Sequence, residues 1–220
     1  MNGWNAHIER EQARYREGED RLPELGDADA RQKQLTRMGN AAGGAGLALL
    51  MLGRHDEAAE WLGRAAERYR ESFADAPPGS WGRPIGAIKS RILAGDWAGA
   101  EKDAHWALEL GAAEADSPIG RYAGCLALLT LGRWAEARPV ATTLRDREDF
   151  PGPVADSLAT IAAEDRAGYE LAIEAVLESF ERRDEYLEDV PVADTVVVLQ
   201  ALAQRRRIGA TLSSPLLPPR

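Results

Sequence analysis

Four stretches of this chain repeat one pattern, and the repetition limits the possible folds more than any other feature. They are LGRHDEAAEWLGRAA from Leu52, AGDWAGAEKDAHWAL from Ala94, LGRWAEARPVATTL from Leu131 and RAGYELAIEAVLESF from Arg166. A glycine recurs in the first three, at Gly53, Gly95 and Gly132. A ring follows two residues later, at His55, Trp97 and Trp134, and Tyr169 is its counterpart in the fourth. Alanine comes three residues after each ring, at Ala58, Ala100, Ala137 and Ala172; four further on stand Leu62, Ala104, Ala141 and Val176. The alanines lie 42, 37 and 35 residues apart. Each position has a physical job. The glycine ends one helix in a left-handed conformation, the ring seals the turn, and the alanine lets the next helix approach closely. The residue four later shares the alanine's face. A helical hairpin of this kind cannot bury its apolar side alone, so neighbouring units stack.

Apolar periodicity predicts helices near 4–20, 28–52, 56–74, 84–94, 97–110, 118–131, 134–146, 153–164, 168–183 and 191–206. Prolines and glycines make 74–82 and 147–153 loops. Ser117 before Pro118 is a strong helix start. The stretch DTVVVLQAL could pass for a strand by its β-branched run. It reads as helix because Val192, Thr195, Val196, Leu199, Leu202 and Ala203 share one helical face, with Arg205, Arg206 and Arg207 at the end that favours cations. The fold class is therefore all-α, one domain over 1–212. It comprises an N-terminal helix and loop (1–27), four hairpins (28–183) and a capping helix (191–206), with an extended tail over 213–220.

The glycine, ring and alanine in this order resemble the tetratricopeptide repeat. Gly46 and Cys125, each seven residues before a turn glycine, fall on that family's small helix-packing position, whereas Ile88 departs from it and the spacing is longer than the family's unit. The resemblance covers roughly residues 38–181 and implies a right-handed solenoid with a concave face. A second resemblance is carried by YLEDVPVADTVVVLQALAQRRRI, followed by PLLP, and by the central WGRPIGAIKSRILAGDW. These resemble the immunity protein 49 family over roughly residues 40–218. That family is all-helical and its members are predicted to neutralise toxins of bacterial polymorphic toxin systems. The resemblance implies a protein that binds another protein and catalyses nothing.

Bulk properties agree with a binding role. The chain has 220 residues and a formal net charge of −9, which disfavours nucleic acid and suits either a basic protein partner, such as a basic toxin domain, or simply solubility. Its longest apolar run, AGLALLML, is too short to cross a bilayer. The N-terminus lacks the apolar core of a secretory signal. Cys125 is the only cysteine. A soluble cytoplasmic protein is expected, with no membrane contact; the oligomeric state stays open.

The glycine-rich GNAAGGAG at 39–46 invites a nucleotide-binding reading. A phosphate loop would need a lysine and a hydroxyl residue after it, and a dinucleotide fingerprint would need a third glycine and a preceding strand. All are missing, so helix packing is the better reading. The close neighbour this implies is expected to be the N-terminal helix, with a break near Gly43 and Gly44 left open. Three scattered histidines, His7, His55 and His105, are not expected to make a metal site, and Cys125 has no visible base. No catalytic residue, metal or cofactor is expected. Asp56-Glu57 suits a helix start. Glu188-Asp189 either begins the last helix or meets a basic partner. Of the six tryptophans, Trp97 and Trp134 belong to the repeat, and Trp61 and Trp106 to helix faces. Trp81, Arg83 and Tyr122 have the side-chain types that dominate binding hot spots, with core packing as the alternative for each. Together with Glu188 and Asp189 they are the expected partner-binding residues. The function expected is an immunity protein that occludes a toxin's active site. The alternative is a general tetratricopeptide-like adaptor that binds a peptide or protein.

Overall fold

A computed structural model describes residues 3–219. Among these the protein is all-helical, with no strand. The helices are α1 (Gly3–Arg21), α2 (Ala28–Met51), α3 (His55–Ser72), α4 (Gly82–Leu93), α5 (Trp97–Glu109), α6 (Pro118–Thr130), α7 (Trp134–Arg145), α8 (Gly152–Ala163), α9 (Arg166–Glu181) and α10 (Asp194–Arg205). Three short 3-10 segments, Leu22–Glu24, Ala112–Glu114 and Leu187–Asp189, lie between them. Every helix end falls within about three residues of its sequence expectation. The β-branched stretch from Asp194 is helical, and it buries Val196, Val198, Leu199, Leu202 and Ala203.

The chain divides into two compact units. The first holds the residues up to Trp97, the segment Asp184–Val192 and the tail from Pro215; the second holds Ala98–Arg183 and Ala193–Ser214. Within the first unit α1 packs on α2, α2 on α3 and α3 on α4. Within the second α6 packs on α7, α7 on α8 and α8 on α9, with α10 against α8 and α9. Within each of these runs, helices consecutive in sequence pack on one another, as short connections dictate.

Four of the turns between successive helices share one geometry. At Gly53 (φ 68°), Gly95 (φ 72°) and Gly132 (φ 69°) the chain is left-handed. In each case the glycine N–H donates to the carbonyl three residues back and the next N–H to the carbonyl five back: Gly53 to Leu50 and Arg54 to Leu49, Gly95 to Ile92 and Asp96 to Arg91, Gly132 to Leu129 and Arg133 to Leu128. These are Schellman turns, which satisfy the last carbonyls of the preceding helix. The fourth junction has the same bonds, from Glu164 to Ile161 and from Asp165 to Thr160, but its left-handed residue is Glu164 (φ 62°).

This moves the fourth repeat by three residues from its sequence alignment. In the first three units the ring is the first helical residue and the alanine stands three later. In the fourth, α9 starts at Arg166, so Tyr169 occupies the alanine position rather than the ring position. Tyr169 is fully buried there and its hydroxyl donates to Gln200 Oε1 at 2.9 Å, reaching α10. Nor does every ring seal a turn. The Trp134 ring lies close over Gly132, whereas His55 is exposed.

Residues 39–46 lie within α2, which runs through all four glycines without a break. A Cβ on Gly46 would stand 2.6 Å from Leu62 Cγ, and one on Gly39 would stand 3.0 Å from the Tyr69 ring; both neighbours belong to α3. Only Gly44 turns toward α1, where Glu11 Cγ would lie 3.1 Å away. The close neighbour is therefore chiefly α3, not the N-terminal helix expected from the sequence.

Candidate functional site

The GNAAGGAG segment offers no phosphate cradle. Its glycines sit in mid-helix, where backbone N–H groups are already used, and Gly39, Gly44 and Gly46 are buried. Among the described residues no three His, Cys, Asp or Glu side chains come together as a metal site. His55 and His105 are exposed. Cys125 is fully buried, with its thiol 3.9 Å from the Ala137 carbonyl, and burial pushes its pKa up to about 12. A thiol held neutral in this way is a poor nucleophile.

Trp81 and Arg83 flank Gly82 at the start of α4, in the first unit. Both are half-buried. Arg83 Nη2 donates to the side-chain carbonyl of Gln32 on α2, and burial lowers the guanidinium's pKa. Gln32 is almost fully buried and its own amide donates to Asp29 at 3.0 Å. Arg83 thus ties α4 to α2 with no acidic partner among the described residues. Nearby, the Tyr69 ring stands between Gly39 of α2 and Gly86 of α4, while its hydroxyl donates to Asn40 at 2.9 Å.

Tyr122 belongs to the second unit. It is buried in α6 and packs on Phe150, with ring centroids 5.5 Å apart. Its place in the core leaves little of the ring for a partner. Among the described residues the most exposed large apolar side chain is instead Leu171 of α9, at 72%.

Glu188 and Asp189 stand in the first unit, both in the left-handed region (φ 55° and 52°). Asp189 is exposed. Glu188 is engaged within the unit: Arg14 pairs with its carboxylate and Arg10 donates to its backbone carbonyl. The same two arginines hold Glu11, which has no exposed surface, at 2.6 Å from Arg10 Nε and 2.9 Å from Arg14 Nη1. A carboxylate so deeply buried needs such partners. This cluster was missed in the sequence. Its one signal was an acid enclosed by arginines at Arg10 and Arg14 on a helix otherwise rich in exposed charge.

Of the five expected partner-binding residues, four stand in the first unit and Tyr122 in the second. Trp81 and Arg83 adjoin at the start of α4, and Glu188 and Asp189 are consecutive. No known protein family, no curated protein and no solved structure matches the chain.

Proposed function

We propose that this chain is a protein-binding immunity protein, acting in the cytoplasm, that neutralises a cognate toxin by covering its active site. The observation that carries the reading is the recurrence of one Schellman turn at four helix junctions, at Gly53, Gly95, Gly132 and Glu164. A turn repeated at these intervals supports a tetratricopeptide-like array, a right-handed solenoid whose broad surface binds another protein. The central and C-terminal segments, which resemble the immunity protein 49 family, narrow that role to toxin neutralisation.

Binding would be steered by the net charge of −9 toward a basic toxin surface. Asp189, exposed beside Glu188, and the half-buried Trp81 are the contact residues this reading favours. Co-expression with the toxin encoded beside it tests the reading: survival and co-purification support it. Stable complexes without rescue would favour the adaptor role, and no complex at all would remove both. Steering has its own measurement. Asp189→Lys should slow association at low salt and much less at high salt; equal rates at both would exclude that patch. Glu188 is unsuited to this test because its carboxylate already pairs with Arg14.

A further inference from the structure

We propose that residues 184–192 form a strap that opens from the α1–α2 face while both helices stay folded. The proposal stands independently of the immunity reading. The segment belongs to the first unit, although the residues before and after it belong to the second. Val190 and Val192 are its buried apolar side chains among the described residues. Val190 is buried and, with Glu188, stands about one methyl group from Gly44 of α2, 3.5 Å from where a Cβ would be. Arg14 pairs with the Glu188 carboxylate and Arg10 takes its carbonyl. Backbone bonds at Asp189 and Val192 run to Tyr186 and Val190, inside the strap itself.

Two features oppose this attachment. Glu188 and Asp189 are consecutive non-glycine residues held left-handed, a conformation that L-residues adopt only when their surroundings force it. The arginines that force it are partly solvated, with side chains 40% and 45% exposed, so salt weakens their grip. The helices beneath do not depend on the strap. Glu11 keeps Arg10 and Arg14 whether or not Glu188 is seated, and α2 keeps its extensive contact with α3. Opening would therefore uncover Gly44 and the Arg10–Glu11–Arg14 cluster without unfolding the unit.

Thiol labelling of the full chain reads this out. Val190→Cys places a reactive group under the strap, and buried Cys125 serves as the internal reference for wider unfolding. With an uncharged thiol reagent, the introduced group should react at least ~30-fold faster than Cys125, and faster still in high salt. In that background Glu188→Ala should raise its rate about tenfold by removing a charge-assisted bond. Asp189→Gly should lower it about threefold by relieving the left-handed backbone. One common rate for both thiols, or a rate that ignores salt and Glu188→Ala, would overturn the proposal. Hydrogen exchange on the unsubstituted chain gives a second reading. Strap amides should exchange well before those of α2, and simultaneous exchange would also overturn it.

Discussion

Glycines of one residue type do opposite work within seven positions of α2. A Cβ at Gly43 would meet nothing nearer than 3.9 Å, while one at Gly46 would meet Leu62 at 2.6 Å. Gly43→Ala should therefore stabilise the protein by up to about 1 kcal/mol, the ordinary gain of alanine over glycine in a helix. Gly46→Ala should destabilise it by about 1–2 kcal/mol, because overpacking outweighs that gain. Thermal or urea unfolding of the two variants would reveal the opposite signs. The glycine cluster was legible in the sequence as helix packing rather than phosphate binding. Which glycine meets a neighbour was not, because that depends on Leu62 and Tyr69, some sixteen to thirty residues away on α3. Glu164 carries the complementary lesson. It occupies a left-handed turn that three glycines fill elsewhere, so Glu164→Gly should add about 1 kcal/mol of stability. Its exposed pairing with Arg206 at 3.2 Å offsets little of this.

At the scale of the helix, start signals were the most readable feature and register the least. Ser117 accepts from Gly120 N–H at 3.1 Å, as Ser-Pro predicted, and Asp165 accepts from Gly168 N–H at 3.0 Å. Removing either cap leaves an N–H unpaired; Ser117→Ala and Asp165→Ala should each cost about 1 kcal/mol, measurable by chemical denaturation. The α9 cap also explains why the fourth repeat was misaligned. Sequence matching aligned Tyr169 with the rings of the other repeats, but Asp165 starts the helix earlier, and the tyrosine takes the alanine position instead. A tyrosine in place of alanine holds a neighbour farther away, and here it reaches Gln200 of α10. The strap residues were legible only as an acidic connection. Their seat on α1 required knowing that Arg10 and Arg14 point to the same place, which no local pattern encodes.

Across the whole molecule the charged surface sets a pH limit. Hydrogen bonds from Arg54, Arg133 and Arg147 hold Glu57, Glu136 and Asp149 below the ordinary carboxylate range. Burial, then the charge of Arg10, lowers His7 from 6.5. All four groups are depressed in the folded state, so the unfolded chain binds protons first as pH falls. Stability should be full above about pH 7, decline slightly as His7 titrates in the unfolded chain, and fall further below about pH 4. Melting temperature against pH would check this; a protein more stable at pH 4 than at pH 7 would contradict it. Among the described residues no helix is long and apolar enough to cross a membrane. The interleaved order of the two units has a consequence during synthesis. The first unit takes in residues 184–192 and the tail from Pro215, so α1 to α4 emerge from the ribosome well before the segments that complete their surface. Until residue 192 has been made, Gly44 and the Arg10–Glu11–Arg14 cluster wait uncovered, and the nascent chain passes through a strapless state on its way to the finished one.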